Sequence, residues 1–127
     1  MHTKTILLVD DNAVQGTVRQ AILTRLGCKV ITALDPRGIL EQLRSGDLPA
    51  EIHLVITDHI MPGMSGSSFV RAVRELRSGI PVLVVSGLEE AKAEYADLNV
   101  AFLVKPVQPE HLLECVRELV GVPAATV

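Results

Sequence analysis

Apolar residues along this chain gather into short uninterrupted runs, separated by stretches in which they recur every three or four positions. The clearest runs are Ile6-Leu7-Leu8-Val9, Leu54-Val55-Ile56-Thr57, Val82-Leu83-Val84-Val85 and Ala101-Phe102-Leu103-Val104. They predict strands at about 5–9, 53–57, 81–86 and 100–104, with a less continuous one at 29–33. Near-continuous apolar runs suit parallel strands covered on both faces. The intervening stretches predict helices. In the first, Val14, Val18, Ala21, Ile22 and Leu26 share a face; in the second, Ile39, Leu40 and Leu43 do, with Asp35 placed to cap and Pro36 in the first turn. Phe69, Ala72, Val73 and Leu76 form the stripe of the third. The fourth, near Glu89 to Ala96, is short and polar, and the helix dipole favours Glu89-Glu90 at its start. The fifth begins at Pro109 and buries Leu112, Cys115, Val116 and Leu119. Five strand–helix units with short connections predict an open, doubly wound α/β sandwich. Its ligand site should lie beyond the carboxyl ends of the strands.

Charged and polar residues stand where those runs end. Asp10 and Asp11 follow the first strand, Asp58 the third, Ser86 the fourth and Lys105 the fifth. A carboxylate at the end of a buried strand is unfavourable unless something pairs with it. Three carboxylates brought together would repel by roughly 4 kcal/mol per pair at about 4 Å and an effective dielectric near 20. Such a site binds protons or a cation, and hard oxygen ligands suit Mg2+ or Mn2+. Capping of the first helix accounts for part of the Asp10-Asp11-Asn12 run but explains neither Asp58 nor Lys105. Lys105, ahead of Pro106, is a suitable point charge for a carboxylate or phosphoryl oxygen. The Ser86 hydroxyl could donate to the same group, with Gly87 leaving the approach open. Together these describe a carboxylate nucleophile, a metal beside it, a cationic lysine and a hydroxyl donor, a set suited to phosphoryl transfer onto Asp58.

Composition bounds the rest. The 127 residues suffice for one domain, with a core at about 5–120 and residues 121–127 as a tail or the start of a linker. With 48% hydrophobic residues but no Trp, one Tyr and two Phe, the core must be mostly aliphatic. A net charge of -3, with Lys and Arg dispersed, gives no reason to expect nucleic-acid or anionic-membrane binding. No apolar stretch is long enough to span a bilayer and no signal-peptide pattern opens the chain, so a cytoplasmic location is expected. Cys28 and Cys115 read as reduced packing residues, His59 as a solvated loop residue, and His2, His53 and His111 as scattered.

Leu7-Leu8-Val9-Asp10-Asp11, Thr57-Asp58 with Met61-Pro62-Gly63-Met64-Ser65-Gly66, Val85-Ser86-Gly87 and Phe102-Leu103-Val104-Lys105-Pro106 occur in an order and spacing that is specific as a set. Over residues 5 to about 120 the chain resembles the receiver domains of bacterial two-component response regulators. The resemblance implies a flavodoxin-like, five-stranded parallel sheet of order 2-1-3-4-5 with five helices. It implies that Asp58 accepts a phosphoryl group from a phosphohistidine on a sensor histidine kinase or a histidine phosphotransfer protein. Asp10, Asp11, Asp58 and the backbone carbonyl of Ile60 would hold Mg2+, with Mn2+ as a substitute. Lys105 and Ser86 would assist at the phosphoryl group, and Lys105-Pro106 would be cis.

In the same family, Ser86 is coupled to the aromatic at Phe102, whose ring turns inward on activation, and the surface of the fourth helix, fifth strand and fifth helix then meets a partner. Where many relatives carry Tyr, this chain has Phe102, so only the packing half of that switch carries over. Ile60 and Leu88, apolar at the two positions that could orient an attacking water, imply slow self-dephosphorylation. Homodimerisation through the same face is compatible with the sequence but not demanded by it. A haloacid-dehalogenase-like phosphatase would need an Asp where Ile60 stands. A flavin or nucleotide binder would need a Gly-rich loop where Asp10-Asp11-Asn12 stands. A degenerate receiver that only mediates contacts would not need the full set of acids, hydroxyl and lysine. The receiver could stand alone or belong to a longer regulator or hybrid histidine kinase.

Overall fold

The structure, a computed structural model, describes residues 3–48 and 51–121. The expected tail beyond Gly121 and His2 lie outside the described residues. Five parallel strands, β1 (Thr5–Val9), β2 (Lys29–Ala33), β3 (Leu54–Asp58), β4 (Val82–Ser86) and β5 (Ala101–Val104), form one sheet of order β2-β1-β3-β4-β5. The interleaved helices are α1 (Ala13–Thr24), α2 (Pro36–Ser45), α3 (Gly66–Leu76), a 3-10 helix (Glu89–Tyr95) and α4 (Pro109–Val120). This is the flavodoxin-like, doubly wound arrangement.

Alternation along the strands divides the core in two, because successive side chains point to opposite faces. Leu7, Val9, Val55, Val82 and Val84 pack with Ile39, Leu40, Leu43, Phe69, Val70 and Val73 of α2 and α3. Ile6, Leu8, Leu54, Ile56, Leu83 and Val85 pack on the other face with Leu23 of α1 and Leu112 and Val116 of α4. Strands β1, β3 and β4 are buried throughout, whereas β2 and β5, at the sheet edges, are only partly covered. The continuous apolar run of β5 had suggested burial on both faces; its edge position leaves it half-covered. Asp35 caps α2 by accepting the Arg37 N–H, with Pro36 at its start as expected. Among the described residues, no helix is long and apolar enough to cross a membrane.

Two further expectations are corrected. The inner face of α1 is not the Val14–Val18 stripe. Val14 and Val18 are 76% and 55% exposed, and the buried residues are Gly16 and Leu23, with Ile22 and Leu26 partly covered. The buried face includes Arg19, a charge that periodicity counts as outward-facing but whose partners lie inside. The second correction concerns His59. It is buried, because Nδ1 lies 2.7 Å from the Tyr95 hydroxyl and Nε2 3.4 Å from a Glu94 carboxylate oxygen.

Candidate functional site

Strand register alone assembles the site. Val9 pairs with Thr57, Asp58 with Val85 and Ser86 with Val104. The residues at or just past these positions, Asp10, Asp58, Ser86 and Lys105, therefore stand side by side along the carboxyl edge of the sheet. Asp10 and Asp58 are buried and Asp11 is exposed. One carboxylate oxygen from each of the three lies within 4.8 Å of the others.

Local hydrogen bonding separates capping from site chemistry. Asn12, not Asp10 or Asp11, caps α1, its Oδ1 accepting the Gln15 N–H at 3.0 Å. Asp10 Oδ1 accepts the Asn12 N–H at 2.9 Å, which orients the carboxylate and leaves Oδ2 toward the site. Two cations answer the acids. Lys105 Nζ lies 2.8 Å from Asp58 Oδ1. Arg19 Nη1 lies 3.2 Å from Asp10 Oδ2 and 3.4 and 3.5 Å from the two oxygens of Asp58. Burial is nevertheless the largest influence on Asp10 and pushes its carboxyl up to about 6, with the Asp58 carboxyl acting in the same direction. The Asn12 N–H and the Arg19 guanidinium oppose that rise without cancelling it.

Ser86 is buried at the end of β4; its Oγ accepts the Leu88 N–H at 3.0 Å, so the hydroxyl proton is free to be donated elsewhere. The Ser86 carbonyl accepts the Lys105 N–H at 2.8 Å, fixing the two strand ends together, and Lys105-Pro106 is cis. Ile60 and Gly87 complete the rim. The open-mouthed cavity they line measures about 210 Å³. With roughly 30 Å³ per water in the liquid, that holds a small ion with its waters or a phosphoryl group. Gln15 lines the same cavity, and its buried Nε2 meets no acceptor among the described residues, so an incoming oxygen would satisfy it. The donor set is all oxygen, as Mg2+ and Mn2+ require, so these residues fit such an ion. A larger cleft of about 670 Å³ lies at the other end of the sheet, beside Gln42, His53 and Pro81, and contains none of these acids.

Asp10, Asp11, Asp58, Ser86 and Lys105 thus converge, and Ile60 borders them. Phe102 stands apart, half-buried on β5, with its ring centroid 5.8 Å from that of Tyr95. Tyr95 also meets His59 edge to face at 5.6 Å, so one buried ring touches both the residue after Asp58 and the aromatic of β5. Burial pushes the Tyr95 phenol up, keeping it protonated and able to donate to Nδ1 of His59. Gly66 makes this closeness feasible. Its N–H donates to the His59 carbonyl at 2.6 Å, and a Cβ there would lie 2.5 Å from both the Asp58 carbonyl and the Tyr95 hydroxyl. Sequence reading missed Arg19 and Tyr95. Arg19 had one available signal: three acids were matched with one lysine, and a second cation was owed.

A family model for the response regulator receiver domain matches residues 6–117. The chain belongs to that family, the receiver domains of two-component response regulators. Among curated relatives it is 30% identical to the two-component response regulator ARR17 of Arabidopsis thaliana, over 87% of this chain and 85% of that one. It is 31% identical to the transcriptional regulatory protein YbdJ of Bacillus subtilis, over 90% of this chain but 49% of YbdJ. Against the hydrogenase transcriptional regulatory protein HoxA of Bradyrhizobium diazoefficiens the identity is 34%, over 91% of this chain and 24% of HoxA. The chain thus spans half or less of these two bacterial regulators. Among solved structures, a CheY-like receiver domain protein from Methanospirillum hungatei superposes with a TM-score of 0.84 at 26% identity, over 94% of this chain and 95% of that one. The chemotaxis response regulator CheY4 of Vibrio cholerae does so at 0.81 and 30%, over 93% and 99%.

Proposed function

We propose that this receiver domain is a phosphoacceptor in a two-component or phosphorelay pathway, with Asp58 as the acceptor. One observation carries the reading: a buried carboxylate ends the central strand, a lysine ammonium lies 2.8 Å from one of its oxygens, and two further acids lie within 4.8 Å. The donor would be the phosphohistidine of a sensor histidine kinase or a histidine phosphotransfer protein. An Asp58 oxygen forms the new P–O bond as the P–N bond to the donor imidazole breaks, the electron pair leaving with the imidazole. Lys105 steadies charge on the transferring oxygens, and the Ser86 hydroxyl donates to one of them. Asp10, Asp11, Asp58 and the Ile60 carbonyl would hold Mg2+ or Mn2+, which supplies charge neutralisation at the phosphoryl group. The domain acts on itself and has no turnover substrate. It functions in the cytoplasm without direct contact to nucleic acid or membrane.

The output surface in this reading is the 3-10 helix, β5 and α4, altered through Ser86 and Phe102; the same surface could pair two copies. Its downstream protein partner belongs to whatever regulator or kinase the domain serves. The test is incubation with Mg2+ and a small phosphodonor, followed by intact mass measurement. One added phosphoryl group is expected in the native chain and none in Asp58→Asn. An adduct retained in Asp58→Asn, or none in either protein, overturns the reading.

A further inference from the structure

Arg19 stands among residues that a divalent cation would also need. Its side chain is 12% exposed, and those of Asp10 and Asp58, which it bridges, are 1% and 7% exposed. A helical side chain leans back toward the helix N-terminus, so a residue in the second turn of α1 can reach the end of β1. Gly16, one turn earlier on the same buried face, lies beside Asp10: a Cβ there would come within 3.9 Å of the Asp10 Cβ. Glycine at this position adds no side chain to the space next to the acid. Lys105 Nζ pairs with Asp58, and among the described residues Arg19 is the cation that answers Asp10.

We propose that Arg19 is an internal counter-ion that competes with the divalent cation for Asp10 and Asp58, and so sets how much metal the domain needs before it can accept a phosphoryl group. The inference rests on the metal site of the proposed function and extends it to a residue outside the ligand set. A guanidinium and a metal ion draw on the same carboxylate oxygens and repel one another. At close range and partial burial that repulsion is only weakly screened by solvent. The bound ion therefore has to move the guanidinium off Asp10 Oδ2, and the work of doing so is subtracted from its affinity. Metal-bound and metal-free forms would then differ in where Arg19 points.

The test is an Mg2+ titration of the 15N-labelled full chain at fixed ionic strength, read at the Arg19 guanidinium N–H signals, with Kd from calorimetry. On saturation those signals should move to the position of solvated arginines. Arg19→Met, which keeps an apolar stem, should bind Mg2+ about tenfold more tightly. Arg25→Met, a charge removed from the end of the same helix, should change Kd less than twofold and so controls for general charge. Guanidinium signals that stay in place, or an Arg19→Met affinity within twofold of native, overturn the proposal. The guanidinium signals are read in the native chain, so an unstable variant does not remove that arm. Failure of the native chain and of Arg19→Met alike to bind Mg2+ overturns the metal reading of the site itself, a result distinct from unchanged affinity.

Discussion

Replacing Asp10 by Asn should stabilise the metal-free protein at neutral pH, although it removes a residue at the centre of the site. Burial raises the Asp10 carboxyl from its ordinary 3.8 to about 6. The folded state therefore holds the Asp10 proton more tightly than the unfolded chain does. Stability from this group is greatest below about pH 4, falls as pH rises through the interval up to about 6, and stays low above it. At 1.36 kcal/mol per pKa unit, the loss across that interval is about 3 kcal/mol. Asn keeps the Oδ1 acceptor for the Asn12 N–H and gives up the attraction to Arg19, the smallest of the influences on this carboxyl. A net gain of about 1–3 kcal/mol is expected near pH 8, or roughly 3–10 °C in Tm for a chain of this size.

The assay is urea and thermal unfolding of both proteins in a chelating buffer, at about pH 4.5 and pH 8. The gap should be wide at the higher pH and nearly closed at the lower. Excess Mg2+ should then reverse the order, because a ligand at a hundredfold excess over Kd adds about 2.7 kcal/mol to the form that binds it. An Asp10→Asn protein less stable than native near pH 8, or a gap independent of pH, would refute the argument from burial.

Gly66→Ala should destabilise by about 2–3 kcal/mol, since the new Cβ would meet the Asp58 carbonyl, the Tyr95 hydroxyl and the His59 backbone; a lowered urea midpoint at unchanged m-value checks it. Arg74→Met should cost about 2–3 kcal/mol by the same measurement. The guanidinium donates to the carbonyls of Leu98, Ser78, Ile80 and Asn99 and so holds the turn where Asn99 adopts a left-handed φ of 53°. The phosphorylated protein, once made, should persist well beyond seconds, because the exposed side chains of Ile60, on the rim, and of Leu88 offer no polar atom to orient water. Decay followed by intact mass tests this, and a lifetime of a few seconds would contradict it.

The sheet was legible because each of its three central strands is buried on both faces and is apolar along most of its length. Boundaries came within a residue, and the site acids, serine and lysine could be placed because strand ends define the edge of such a sheet. What sequence could not provide were side chains whose partners lie far along the chain. Arg19 looks like an outward-facing charge until its two aspartates, nine and 39 positions away, are placed beside it. With Arg19 and Gly16 on the inner face, α1 shows its valines to solvent, and periodicity chose the wrong stripe. His59 follows a strand and precedes a Met-Pro-Gly loop, which reads as solvated. Its burial depends on Tyr95, 36 residues later on a helix too short for its stripe to be read.

The contact between His59 and Tyr95 has an optical consequence. The chain contains one tyrosine and no tryptophan, so its intrinsic ultraviolet emission is dominated by a single ring. That ring is buried, bonded to the neighbour of Asp58 and tilted against Phe102. Any event at the site that shifts either contact should alter the brightness of the whole molecule, giving an unlabelled protein its own indicator dye.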